Sequence, residues 1–323
     1  MPISALPSAY GIGNLGKEAR RFVDFLKKAG QTYWQVLPVG PTSYGDSPYQ
    51  SFSAFAGNPY FIDPETFMEE GLLTKDELES ISWQERGDHI EYSTLYENRF
   101  SLLKKAFFRS SHKETREYIS FCLKNSFWLE DYAVFMACKT HFGGVSWQEW
   151  PKELRLFQKE AVLQYSTLLE EEVEFWKFCQ FSFFRQWKEL REYANSKGIL
   201  IIGDMPIYVA MDSADVWSHS RYFQLDEEHR PKKVAGVPPD AFSADGQLWG
   251  NPLYDWEQME KDDFHWWRER MKAASRLFDC VRIDHFIGIC RYFSVPAGDT
   301  TSKNGSYHPG PGMRLIKAIQ ESA

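Results

Sequence analysis

Three times along the chain an amphipathic helical stripe runs into a short apolar strand. From Lys17, the apolar positions Ala19, Phe22, Val23 and Leu26 keep helical spacing and Gly30 offers a C-terminal cap; residues 33–39 then read as a strand. Phe183, Trp187, Leu190 and Ala194 form a second stripe that stops at Gly198, before the apolar run 199–202. Phe264, Trp267, Met271, Ala274 and Phe278 form a third, before Cys280-Val281-Arg282-Ile283-Asp284. Helices alternating with short apolar strands predict a buried parallel sheet covered by helices, hence an α/β fold, either a barrel or a doubly wound sheet. Residues 64–176, rich in Glu, Lys, Phe and Trp, are too long for a connection and read as a helical insertion. The expected organisation is 1–63 as the start of a catalytic domain, 64–176 as the insertion, and 177–323 as the continuation of that domain.

Composition narrows the partners. With 43% hydrophobic and 25% charged residues the chain can bury a core, and its net charge of -8 argues against a nucleic acid or an anionic membrane as partner. Aromatic residues make up 16% of the chain, and most are expected in packing. Cys122, Cys138, Cys179, Cys280 and Cys290 form no C-x-x-C pair and read as reduced core thiols; no metal site and no cofactor are expected. No signal-like or membrane-length segment stands out, which predicts a cytoplasmic protein; the oligomeric state is left open. Gly11-Ile12-Gly13-Asn14-Leu15-Gly16 matches the dinucleotide fingerprint, but no strand precedes it and no carboxylate follows at the end of the next strand.

Two strand ends carry chemistry. Alternation puts Arg282 and Asp284 on one face of the third strand, at its carboxyl end, where α/β active sites gather. A guanidinium beside a carboxylate favours the ionised form that a nucleophile or electrostatic stabiliser needs; the alternative is a structural ion pair or helix cap. Asp204, in Gly203-Asp204-Met205-Pro206, lies at the same rim, suited to positioning a ligand or bracing a loop. The loops 43–50 and 236–252 interleave Gly and Pro with aromatic, amide and carboxylate groups. Such loops fit a pyranose, with its apolar face and hydroxyl rim, or serve as packed surface connections.

At these residues the sequence resembles the 4-α-glucanotransferases of glycoside hydrolase family 77, also called amylomaltases or disproportionating enzymes. The shared segments, in order, are Tyr33-Trp34-Gln35-Val36-Leu37-Pro38, Ser47-Pro48-Tyr49-Gln50 with Asn58-Pro59, Gly203-Asp204-Met205-Pro206-Ile207-Tyr208-Val209, Asp212-Ser213-Ala214-Asp215-Val216-Trp217, Val237-Pro238-Pro239-Asp240, Leu248-Trp249-Gly250-Asn251-Pro252 and Arg282-Ile283-Asp284-His285-Phe286. The resemblance implies a TIM-type (β/α)8 barrel with helical insertions, of which these residues form the first half. It implies Asp284 as nucleophile and Arg282 as its charge partner. Tyr49 and Trp249 match aromatics lining the sugar subsites; Ser47, Asp204, Phe242, Gln247 and His285 match positions at or near bound sugar; Tyr44 matches a tyrosine of a second, remote glucan site in some members.

The implied reaction is retaining transfer of α-1,4-glucan segments between maltodextrins, with a second carboxyl group as acid/base. In the family that glutamate lies in a Glu-Asp-Leu-Gly segment on the next strand, which is not among these 323 residues. The expectation is therefore a chain truncated at both ends and inert by itself; the alternatives are a non-catalytic maltodextrin-binding remnant or a hydrolase of the α-amylase clan.

Overall fold

The computed structural model describes residues 1–43, 45–83 and 89–323. Helix α1 (Lys17–Lys28) leads to strand β1 (Tyr33–Gln35), and the insertion follows as a set of helices that includes α2 (Tyr92–Arg109) and α3 (Leu129–His141). The 27-residue helix α4 (Glu170–Ser196) runs back to β2 (Leu200–Met205). Next come β3 (Lys233–Val237), β4 (Gln247–Pro252), α5 (His265–Leu277), β5 (Cys280–Ile283), β6 (Arg291–Pro296), β7 (Ser306–Pro309) and α6 (Met313–Gln320). The α/β class read from the periodicity holds.

Strands β1, β2 and β5 form a parallel sheet in that order, with Trp34 beside Ile201 and Asp204 beside Arg282. β1 is shorter than the expected 33–39. Its ladder extends only to the Val36 amide, which donates to Ile202 O at 3.0 Å, because Pro38 has no N–H to continue it. Helices α4 and α5 pack against the sheet. Trp34 and Ile201 are buried, whereas the alternate positions Tyr33, Leu200, Cys280 and Arg282 are exposed. Among the described residues, helices cover one face of this sheet, as the periodicity predicts, and the other face is largely exposed, with the candidate chemistry at its carboxyl rim. The cysteine reading changes in part. Cys138 and Cys179 are core thiols, while Cys280 and Cys290 are exposed.

A second sheet, antiparallel in the order β4-β3-β6-β7, was not legible in the pattern. The stretch 236–252, read as a loop, is a hairpin whose strands frame a short tip. β3 finds its other partner in β6, through pairs such as Ala235↔Ser294, and no local periodicity reports a pairing across that separation.

Two buried glutamines of α4 place the segment that follows β1. Gln180 accepts from Gly57 N at 2.7 Å and donates to Gly57 O at 2.9 Å, and Gln186 does the same for Asp63 at 2.7 and 3.2 Å. A Cβ on Gly57 would lie 1.9 Å from the Phe183 ring, so only glycine allows this approach. The glycines of the dinucleotide-like motif also serve packing. A Cβ on Gly13 would meet Ile3 O at 2.0 Å, and what precedes the motif is a 3-10 turn (Ile3–Ala5). Among the described residues, no helix is long and apolar enough to cross a membrane, and no cluster of His, Cys, Asp or Glu is arranged to hold a metal ion.

Candidate active site

The rim of the parallel sheet gathers side chains from three distant segments into one hydrogen-bonded line. Because Asp204 and Arg282 are ladder neighbours, their side chains leave the sheet on the same face. Arg282 donates through NH1 to Asp204 Oδ1 and through NH2 to Asp284 Oδ1, both at 2.6 Å. From the loop after β1, the Tyr49 hydroxyl donates to Asp204 Oδ2 at 2.8 Å. The Asp204 side chain is 1% exposed, against 47% for Arg282 and 38% for Asp284. A buried carboxylate with both oxygens engaged therefore holds the guanidinium, and the guanidinium holds an accessible carboxylate. Asp284 is fixed from the backbone side as well, its N–H donating to Met205 O at 2.9 Å.

Electrostatics follow the geometry. Hydrogen bonds from Arg282 to Asp204 and then Asp284 raise the guanidinium above its ordinary value. Burial, then the hydrogen bond to Asp204, push the Tyr49 hydroxyl up to about 12, so it stays a donor at neutral pH. Burial lowers the His285 imidazole, with Asp284 opposing. His285 has φ of 51°, a left-handed turn that starts the chain away from β5 immediately after Asp284.

Rings and amides flank the line. Trp249 lies 4.8 Å from the His285 ring and 6.2 Å from that of Tyr208, and its indole N–H donates to Gln247 Oε1 at 3.0 Å. Ser47 Oγ accepts from Tyr49 N at 3.3 Å, so it shapes the turn that presents Tyr49. The structure brings Tyr49, Ser47, Asp204, Arg282, Asp284, His285, Trp249 and Gln247 to this rim. Phe242 stands apart, 98% exposed at the hairpin tip, on a turn in which Asp240 Oδ1 accepts from Phe242 N and Ser243 N, each at 2.8 Å. Tyr44 lies outside the described residues.

Two buried charges beneath the rim were not singled out in the sequence. Arg270 is 3% exposed, lies over Trp266 and Trp267, and donates to Pro206 O and, at 3.0 Å, to Ile207 O. Tyr254 adds a hydroxyl to Ile207 O at 2.7 Å. Asp215 accepts from Ala54 N at 2.7 Å. These groups fix both backbone segments that carry the line, the one after Tyr49 and the one after Asp204. The signal for Arg270 was available: it sits among Trp266, Trp267, Met271 and Ala274, on the apolar stripe where a cation needs a reason.

A groove of about 1230 Å³ lies elsewhere, between α4, the end of α5 and the segment 109–125. Three of the cations that line it are already paired, Arg109 with Glu77, Arg185 with Glu70 and Arg191 with Asp279. Convergent polar groups, rather than volume, place the candidate site at the rim.

The family model described as 4-alpha-glucanotransferase, glycoside hydrolase family 77, matches residues 1–323. The 4-alpha-glucanotransferases of Clostridium butyricum and Thermus thermophilus are each 49% identical to this chain over 322 residues, covering 99% and 98% of it. An amylomaltase from Streptococcus agalactiae, solved in complex with acarbose, superposes with a TM-score of 0.96 at 43% identity and covers 99% of the chain. The chain spans just under two thirds of these relatives, 66%, 63% and 65% of their lengths in the same order. With a family model matched from end to end and relatives near half identity, the chain belongs to the 4-alpha-glucanotransferase family.

Proposed function

We propose that the whole protein transfers α-1,4-glucan segments between maltodextrins by double displacement, and that this chain supplies the nucleophile and much of the sugar-facing surface. The observation that carries the reading is the Tyr49–Asp204–Arg282–Asp284 line, which ends on an accessible carboxylate at the carboxyl rim of a parallel sheet. In the first step an Asp284 oxygen attacks the anomeric carbon. The bond to the glycosidic oxygen breaks with its electron pair on that oxygen, which takes a proton from the acid/base residue. In the second step a sugar 4-hydroxyl gives its proton to the same residue and displaces Asp284, restoring an α-linkage.

Arg282, held by Asp204, orients the nucleophile. Tyr49, Trp249 and His285 offer rings to the pyranose, while Ser47, Asp204 and Gln247 line its hydroxyl rim. Phe242, on its rigid tip, covers bound glucan from the outer side, and Tyr44 belongs to a separate glucan contact. Rings of this kind exclude water and favour a sugar acceptor over hydrolysis.

The fold proposed with this function is a TIM-type barrel, in which β1, β2 and β5 are adjacent staves and their open face turns to the interior. Residues 64–176 are its helical insertion, with barrel segments at 1–63 and 177–323. The reading carries with it the cytoplasmic location expected from the sequence and needs no metal or cofactor.

The test gives the whole protein α-maltotriosyl fluoride, whose leaving group departs without protonation, with maltose as acceptor. Transfer gives maltopentaose and fluoride. Maltotriose as the sole product would assign the protein to hydrolysis instead.

A further inference from the structure

Opposite residues in an antiparallel ladder share a face, as do alternate residues along a strand. Gln247 pairs with Val237, Ala235 with Ser294, and Tyr292 with His308. Stepping by two along β3 and β6 puts Gln247, Val237, Tyr292 and His308 on one face of the second sheet, in a row across its four strands. Trp249, beyond Gln247 where the β3–β4 register shifts, is tied to it by its indole N–H, which donates to Gln247 Oε1 at 3.0 Å, and its ring meets His285 beside the candidate nucleophile. The row therefore begins at the site and leads away from it.

The far end of the row is a built platform. The Tyr292 and His308 rings lie 5.5 Å apart and nearly parallel, at 24°, and both are part-exposed. Tyr292 is held in place by its hydroxyl, which accepts from Gln224 Nε2 at 3.3 Å; the same amide donates to Tyr254 O at 3.0 Å. His308 is held by its Nε2 contact with Ser306 Oγ at 3.1 Å. Between this pair and Gln247 the floor is Val237, apolar and low. Two strand spacings separate Gln247 from Tyr292, ~10 Å in all, and a third reaches His308.

We propose that the Tyr292–His308 pair is a distal glucan-binding position, reached only by chains longer than those that fill the site around Asp284. It rests on the glucan reading above and adds a length preference to it. An apolar floor ending in two nearly parallel, part-exposed rings offers a pyranose an apolar surface to stack on, while Gln247 and Ser306 offer hydrogen bonds at either end. Tyr307, next to His308 on β7, points to the opposite face, where its ring meets Phe293 and Arg291, and supplies the matched control.

The experiment titrates the chain with maltotriose and with maltoheptaose by calorimetry, for the wild type, His308→Ala, Tyr292→Leu and Tyr307→Ala. The expected result is about a tenfold loss of maltoheptaose affinity in His308→Ala and Tyr292→Leu, unchanged maltotriose affinity, and no effect of Tyr307→Ala on either. His308 is at the surface, so its variant keeps the test valid if Tyr292→Leu fails to fold. Wild-type binding of maltoheptaose that His308→Ala leaves intact, or that falls equally for both sugars, overturns the distal position alone. Absence of binding of either sugar by the wild type overturns the glucan reading, and this position with it.

Discussion

The Tyr49 hydroxyl donates to Asp204 Oδ2 at 2.8 Å across 155 residues of sequence, joining the loop after the first strand to the end of the second. Through Arg282 the same carboxylate reaches Asp284, so the orientation of the candidate nucleophile is linked to a loop hydroxyl three hydrogen bonds away.

Tyr49→Phe removes that donor while keeping the ring. A hydrogen bond to a charged group contributes about 1.5–3 kcal/mol. With Tyr49 itself 37% exposed, solvent screening reduces the expected loss to about 1 kcal/mol. Urea denaturation measures this directly. Maltodextrin affinity is expected to fall by a few-fold, because the ring stays but its position relaxes.

Asp204→Ala tests the buried end of the line. Breaking a fully buried ion pair costs about 3–5 kcal/mol. Arg282 is half in water and can rehydrate, so about 2 kcal/mol is expected here, with fluoride release from the glycosyl fluoride reduced more than tenfold. Unchanged stability and turnover would reduce Asp204 to a bystander.

Arg270→Met keeps the side chain's bulk but strips its hydrogen bonds from Pro206 O and Ile207 O. Each buried carbonyl left without a partner costs about 1–3 kcal/mol, although Tyr254 still serves Ile207. The expected outcome is a loss of about 2 kcal/mol, with an altered near-ultraviolet circular dichroism signal from Trp266 and Trp267. Arg270→Lys restores charge but not the fork, and is expected to recover only part of the loss.

Burial raises Asp215 to about 6, above the ordinary ~3.9 of an unfolded aspartate. The folded protein thus holds this proton more tightly. Between pH ~4 and ~6 the unfolded state is already ionised while the folded state is not, so stability falls as pH rises through that window and levels off above it. About two units correspond to about 2–3 kcal/mol. Asp215→Asn does not titrate, so wild-type stability relative to this variant is expected to decline from pH 4 to pH 6. A constant difference would show that Asp215 does not change protonation on folding.

The α1–β1 and α4–β2 units and β5 were legible because their apolar spacing is local, and Asp284 and Arg282 were legible because alternation puts them on one face. The antiparallel sheet was not, since β3 is completed by β6, more than fifty residues on, and its glycine and proline content mimics a loop. Which face of the parallel sheet the helices cover was hidden for a related reason. An apolar run such as 199–202 reads the same whether helices cover one face of the sheet or both. Ring chemistry marked Trp249 and Tyr49, but only the fold reveals that Arg270 and Asp215 support the backbone behind them.

The most direct measurement is the identity of the residue that carries sugar. The chain is mixed with α-maltotriosyl fluoride, quenched in acid within milliseconds to seconds, digested, and mapped by peptide mass spectrometry. An Asp284 oxygen replaces fluoride at the anomeric carbon, so the account predicts a maltotriosyl ester on the peptide containing Asp284, absent from Asp284→Asn. An ester on any other residue, or fluoride release undiminished in Asp284→Asn, would contradict it.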